Sequence, residues 1–190
     1  MRLQKNSLRG DVPKEVFKLL NLHSLDLSEN RLQNSLPVEI APNLRSLRLS
    51  SNNFTGSVAS ELGKATKLRH LALGENSFVG ELPTELNMLT QLTSLDVHAT
   101  GLTGRITTEF GTFTDLRYLS VSDTFIRARI PRQYGQLTNL AVLHVANTLV
   151  GGNLPEEIAN MRSLRHLDLS GSRFRKSIPL GLAKLTKLSE

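Results

Sequence analysis

Cysteine is absent from these 190 residues. That excludes disulfides and thiolate metal sites, and it fits a reducing compartment or a stretch of chain without disulfide-closed caps. Tryptophan is absent as well, and aromatics make up only 5% of the chain. No apolar run approaches the ~18 residues needed to span a bilayer. The basic start, Met1-Arg2-Leu3-Gln4-Lys5-Asn6, leads into no apolar stretch, so no secretory leader is visible. The formal charge of +6 is modest, and no aromatics interleave with the basic residues, which argues against a nucleic-acid partner. Signatures of catalysis are also missing: H-E-x-x-H, G-x-S-x-G and G-x-G-x-x-G do not occur. The stretch from Gly56 to Lys64 mimics a phosphate loop only superficially, because its spacing is too long and Ala65, not Ser or Thr, follows the lysine.

What the chain does have is leucine at a fixed interval. The frame Leu22-His-Ser-Leu25-Asp-Leu27-Ser-Glu-Asn30-Arg-Leu32 returns at Leu44, Leu68, Leu92, Leu116, Leu140 and Leu164. Each step is 24 residues except the first, which is 22. Leu188 opens a further copy, and Leu3, Asn6, Leu8, Gly10 and Pro13 match the later part of an earlier one. The copy from Leu68 is complete: Leu71, Leu73, Asn76, Phe78, Gly80, Leu82, Pro83, Leu86 and Leu89. Its pattern reads L-x-x-L-x-L-x-x-N-x-L-x-G-x-I/L-P-x-x-L-x-x-L.

This pattern resembles the leucine-rich repeat family, and its G-x-I/L-P extension resembles the plant-type subclass of receptor ectodomains and pectinase inhibitors. The resemblance covers essentially the whole chain. It implies an α/β solenoid: a right-handed superhelix with a parallel concave sheet and 3₁₀ or short helical turns on the convex side. Residues 1–190 are read as a single domain, with a partial copy over 1–21. Relatives of the extracellular subclass close with cysteine-paired caps, and this sequence contains none, so an internal piece of a longer protein is expected.

Elementary physics accounts for the spacing. L-x-L alternation buries one face of a short strand and exposes the other. A single strand cannot hide that face, so copies must stack and share a core. The tail P-x-x-L-x-x-L suits a 3₁₀ turn. Pro13, Pro37, Pro83, Pro131, Pro155 and Pro179 are expected at its first turn, and Ala59 and Thr107 stand in their place in two copies that should turn more loosely. Pro42 shortens the convex turn of the 22-residue copy, where a kink is expected. The asparagine column holds Asn6, Asn30, Asn52 and Asn76, then changes to Thr100, Thr124, Thr148 and Ser172. A hydroxyl has one donor where an amide has two, so the second half should lose roughly one hydrogen bond of about 1 kcal/mol per copy.

Solvent-facing strand positions define the hollow side, an eight-strand trough of roughly 35 Å. Nine residues there are candidate ligand contacts: His70, Asp96, His98, Tyr118, Ser120, Val142, His144, His166 and Asp168. Tyr118, Val142 and His166 should share one column, and Ser120, His144 and Asp168 another. The second set mimics a nucleophilic triad. An open trough offers neither an oxyanion hole nor exclusion of water, so no catalytic role, metal or cofactor is assigned. A second surface collects Arg105, Arg127, Arg129, Arg173 and Arg175. Its plainest role is solubility, and an acidic polysaccharide is its sharper partner. Asn53-Phe54-Thr55 is a glycosylation sequon expected at an exposed loop position, and it mildly favours secretion.

The expected function is a protein- or peptide-binding module of a receptor-like or adhesion protein. An intracellular scaffold or an inhibitor of a secreted hydrolase is the alternative. The subclass favours the cell surface, and the missing cysteines and leader favour the cytoplasm.

Overall fold

The computed structural model describes residues 1–189. Each L-x-L becomes a three-residue strand: Ser24–Asp26, Ser46–Arg48, His70–Ala72, Ser94–Asp96, Tyr118–Ser120, Val142–His144 and His166–Asp168. They pair in chain order as one seven-stranded sheet, parallel at every step. The expected eighth strand is reduced to a single bridge from Arg2 to Asp26. The register is strict. Leu25, Leu47, Leu71, Leu95, Leu119 and Leu143 stand side by side and are fully or almost fully buried.

The chain leaves each strand through a residue in the left-handed region: Glu29, Ser51, Glu75, Ala99, Asp123, Asn147 and Gly171. For the six that are not glycine this conformation costs about 1 kcal/mol each. It turns the backbone so that the next residue sinks into the stack. A second set of short strands then forms on the adjoining side. It is divided into a five-stranded sheet from Arg9–Gly10 to Gly101–Thr103 and a three-stranded sheet spanning Arg127–Ala128, Leu149–Gly152 and Arg173–Phe174.

The convex side consists of 3₁₀ helices, among them Lys14–Lys18, Ser60–Lys64, Thr84–Met88, Arg132–Gln136 and Glu156–Asn160. Pro37 is followed by no helix, whereas Pro13, Pro83, Pro131, Pro155 and Pro179 sit one residue earlier than expected, as the caps that precede their helices. There the Pro13 and Pro83 carbonyls accept the amides of Val16 (3.0 Å) and Leu86 (3.1 Å). Proline is not required for this. Ala59 accepts from Leu62 at 3.1 Å, and the helices after Ala59 and Thr107 have the same five-residue length as the rest. The expected loosening is therefore not found at Ala59, because the i to i+3 bond uses the carbonyl, which every residue has. The turn after Thr107 keeps its length, and the buried Thr107 hydroxyl has no hydrogen-bond partner there among the described residues. The 22-residue copy has no 3₁₀ helix around Pro42. Neighbouring helices approach so closely that a Cβ on Gly111 or Gly135 would lie 2.7 or 2.6 Å from a backbone oxygen of the next one.

One apolar cluster runs from Phe17 to Leu185. Leu3 and Leu8 are more than a third exposed, whereas Leu185, expected near an open end, is buried.

The asparagine column works as a clamp between copies. Asn76 donates to the carbonyls of Leu73 (2.9 Å) and Gly74 (3.0 Å) in its own copy and of Leu49 (3.0 Å) in the preceding one. Its Oδ1 accepts the Phe54 amide at 3.0 Å. Asn52 and Asn30 repeat the arrangement. Thr100 and Thr124 instead donate only within their own copies, to Val97 (2.8 Å) and Val121 (2.6 Å). Ser172 restores the link. It donates to Val145 at 2.6 Å and accepts the Thr148 amide at 3.1 Å. The clamp is thus absent at the threonines and returns at Ser172. Asn76→Thr should cost about 2 kcal/mol, two net hydrogen bonds, in chemical unfolding. Backbone amides between residues 92 and 148 should exchange faster than those between 25 and 76. Equal protection of the two stretches rules the clamp out.

Candidate functional site

Parallel pairing in strict register converts one strand position into a column across the trough. The first outward position gives Ser24, Ser46, His70, Ser94, Tyr118, Val142 and His166. The third gives Asp26, Arg48, Ala72, Asp96, Ser120, His144 and Asp168. Tyr118, Val142 and His166 therefore do stand side by side, and so do Ser120, His144 and Asp168. Not every outward position is open. Ser120 and Ser122 are buried, as are Asp26 and Ala146, because the neighbouring strands are close enough for larger side chains to lie over smaller ones.

Tyr118 is the largest group in the trough. Its ring meets the His144 imidazole edge-on, with centroids 5.9 Å apart. Burial, then the Asp96 charge, pushes the phenol pKa up, with a hydrogen bond to Ser120 opposing. The hydroxyl stays protonated at neutral pH and remains a donor. The triad-like column is engaged otherwise. Asp168 Oδ1 accepts the Ser170 amide (3.0 Å) and hydroxyl (2.7 Å), which hold its pKa down, and Ser120 is 2% exposed. Among the described residues, no group of three or more His, Cys, Asp or Glu could hold a metal ion.

A polar chain crosses the middle copies. The Ser51 hydroxyl donates to Glu75 Oε2 at 2.5 Å, and Glu75 Oε1 lies 3.3 Å from His98 Nε2. His98 Nδ1 meets Asp96 Oδ1 at 2.8 Å. Burial alone would lower the His98 pKa, but the hydrogen bond and charge of Asp96, then those of Glu75, raise it overall. His70 behaves oppositely. Burial lowers its pKa, and the cations Arg48 and Arg69 lower it further. Sequence reasoning named both histidines and Asp96 but not their pairing, nor the roles of Glu75, Arg48 and Arg69. The signal was available, since Glu75 precedes the asparagine column by one residue and His98 lies one copy further on.

The second surface also assembles. Arg105 and Arg127 form a parallel bridge. Arg129, Arg173 and Arg175 line a groove of about 490 Å³ together with Lys176, Gly151 and Gly152. Arg105 and Arg129 line a second groove of about 590 Å³, which shares Ala128 and Arg129 with the first. The sequon residue Asn53 is exposed, but it lies in the strand Asn53–Gly56 rather than in a loop.

The family model described as Leucine Rich Repeat matches residues 21–42, 43–65 and 163–185. Among curated proteins, the chain is 38% identical over 61 residues to the receptor-like protein CLAVATA2 of Arabidopsis thaliana, which is 32% of this chain and 8% of that protein. Among solved structures, it is similar to the plant peptide hormone receptor RGFR1 in complex with RGF2. The TM-score is 0.96 at 31% identity, over 100% of this chain and 31% of the receptor. It is also similar to the Arabidopsis receptor kinase HAESA in complex with the peptide hormone IDA and the co-receptor SERK1. There the TM-score is 0.90 at 34% identity, over 94% of this chain and 30% of HAESA. The chain thus spans less than a third of each of these relatives.

His98 carries a test of the geometry. The folded chain holds its proton more tightly than the unfolded chain does. Its contribution to stability is complete below the unfolded pKa of about 6.5 and is lost as pH rises through the folded value. The melting temperature of His98→Gln should therefore fall further below that of the parent at about pH 6 than at about pH 8. A difference that does not change with pH removes the Glu75–His98–Asp96 chain as a proton-linked contact.

Proposed function

We propose, from the premise that this chain belongs to the plant-type leucine-rich repeat family, that its concave face captures a peptide or protein segment as the recognition surface of a receptor-like or adhesion protein. The observation that carries this reading is the column of Tyr118, Val142 and His166, with His144 against the Tyr118 ring. The repeat dictates leucines on the inner side of each strand but dictates nothing here. Aromatic and imidazole groups in register on an open floor are the kind of groups that anchor interfaces. Asp96, His98 and Asp168 surround them with acceptors and a titratable donor, and His70 adds a polar contact one strand beyond Ser94. A trough open along its length admits an extended occupant. The receptors RGFR1 and HAESA, similar in fold, are bound to RGF2 and IDA in their structures, which supports a peptide as that occupant. The reading assigns no catalytic step, because function on such a scaffold resides in binding substituents.

Peptides selected from a displayed random library against the folded chain test this. Binders should lose about 2 kcal/mol of affinity, roughly thirtyfold, with Tyr118→Ala and His166→Ala combined. Binders indifferent to both substitutions remove the concave face as the binding surface.

A second reading has its own observation. Two adjoining grooves share Arg129, one lined also by Arg105 and the other by Arg173 and Arg175, while Arg127 pairs with Arg105 through the backbone; the column of Arg105 and Arg129 holds Asp11 and Glu81 in earlier copies. This surface fits an acidic polysaccharide, whose carboxylates pair with guanidinium forks. Retention on immobilised heparin should drop for Arg127→Glu combined with Arg129→Glu, and retention that survives both excludes the patch.

A further inference from the structure

The residue just before each concave strand forms a column of its own, at the leading rim of the trough. It holds His23, Arg45, Arg69, Thr93, Arg117, Ala141 and Arg165 in successive copies. The amides and carbonyls of this column join neighbour to neighbour, each at 2.8 Å. All four arginines are exposed. Among the described residues none of their guanidinium groups has a hydrogen-bond or ion-pair partner. The column contains no acid. Adjacent strands lie ~4.8 Å apart, so Arg69, Arg117 and Arg165, each two copies from the next, recur at about 10 Å.

The same three copies carry rings. Arg69 precedes His70, Arg117 precedes Tyr118, and Arg165 precedes His166, while the intervening copies have Thr93-Ser94 and Ala141-Val142. An arginine on the rim and a ring on the floor thus alternate with small residues at every second strand. A fully extended peptide does not match this spacing. Three residues span about 10 Å, but side chains three apart then point to opposite faces. A polyproline-II helix does match it. It repeats every three residues with about 3.1 Å rise, so every third side chain returns to one face at about 9 Å.

We propose that the leading rim binds an acidic peptide segment in the polyproline-II conformation, with a carboxylate at every third residue. The carboxylates pair with Arg69, Arg117 and Arg165, and the peptide's apolar flank rests on His70, Tyr118 and His166. The proposal rests on the concave-face reading and specifies the ligand class for that face. Arginine suits it because its planar fork receives a carboxylate through two hydrogen bonds and its charge persists at all relevant pH values. Burial lowers the His70 pKa and the nearby cations Arg48 and Arg69 lower it further, so it offers a neutral ring.

Fluorescence anisotropy with defined probes tests this. The probes are a labelled peptide of four Pro-Pro-Glu triplets, an isomer with all four glutamates grouped at one end, and an oligogalacturonate of similar charge. The triplet peptide should bind about fivefold tighter than its isomer, and raising the salt concentration should weaken it. Arg69→Glu combined with Arg117→Glu should lower its affinity at least about tenfold with unchanged thermal unfolding, while Lys64→Glu combined with Lys184→Glu, on the convex side, leaves it unaltered. Equal binding of the two isomers, or no effect of the rim reversals, overturns the proposal. Oligogalacturonate binding that needs the rim arginines while the peptide does not bind also overturns it, because the row is then a glycan track. If library-selected peptides still depend on Tyr118 and His166 in any of these cases, only this inference fails and the concave face remains a binding surface.

Discussion

No copy in this chain buries its own apolar face. A three-residue strand has one inward leucine and two outward neighbours, and both its apolar side and its backbone bonds are completed only by the copies before and after it. Every other feature follows from this dependence. The glycines at Gly111 and Gly135 exist because convex helices must approach as closely as the strands do. The left-handed residue after each strand is accepted, at a cost of about 1 kcal/mol where it is not glycine, because it delivers the next side chain into the seam between copies. What that side chain does there differs along the chain. The amides of Asn30, Asn52 and Asn76 tie one copy to the one before. The hydroxyls of Thr100 and Thr124 tie a copy to itself. The residues with the best case for binding, Tyr118, Val142 and His144, lie where the asparagine clamp is replaced by single hydroxyl and surface links, Ser122 accepting the Ala146 amide at 3.0 Å and Asn147 donating to Asp123 at 2.8 Å. Less local stability there is consistent with a surface that adjusts to an occupant.

The fold was legible in the sequence because its determinants are periodic. Leu25 and Leu47 would mean little singly. Repeated in frame through Leu164, they specify strand, register and stacking direction at once. The details that escaped depend on atoms the pattern does not encode. Pro83 marks the convex turn, yet Ala59 performs the same step, since the bond that closes it uses a carbonyl. The eighth strand failed because Arg2 reaches only a single bridge.

The site was legible in position but not in partnership. Counting outward positions places Tyr118, Val142 and His166 in one column. It does not reveal that Ser120 is covered, or that Asp168 is already occupied by Ser170, since both depend on side-chain size and rotamer rather than on spacing. The arginines of the leading rim escaped for a different reason. They lie one residue outside the alternating L-x-L window, where the frame makes no demand, and their regularity emerges only when every second copy is compared.

Parallel pairing has an electrostatic consequence that an antiparallel sheet lacks. Every strand starts at the same edge, so a charge preference within one copy adds to that of the next instead of cancelling. The leading edge holds Arg45, Arg69, Arg117 and Arg165. The left-handed positions at the trailing edge hold Lys5, paired with Glu29 at 3.5 Å, and then Glu29, Glu75 and Asp123 among neutral residues. The trough is therefore polarised across its width. The histidines register the difference. Burial lowers the His70 pKa, and Arg48 and the rim residue Arg69 lower it further, whereas at His98 the lowering by burial is outweighed by Asp96, with the trailing Glu75 adding to it, so that pKa is raised. An occupant with acid along one flank has a preferred way to lie before any ring contacts it. The orientation is then set by the repeat's own asymmetry, and the rings of Tyr118 and His166 are left to set the register.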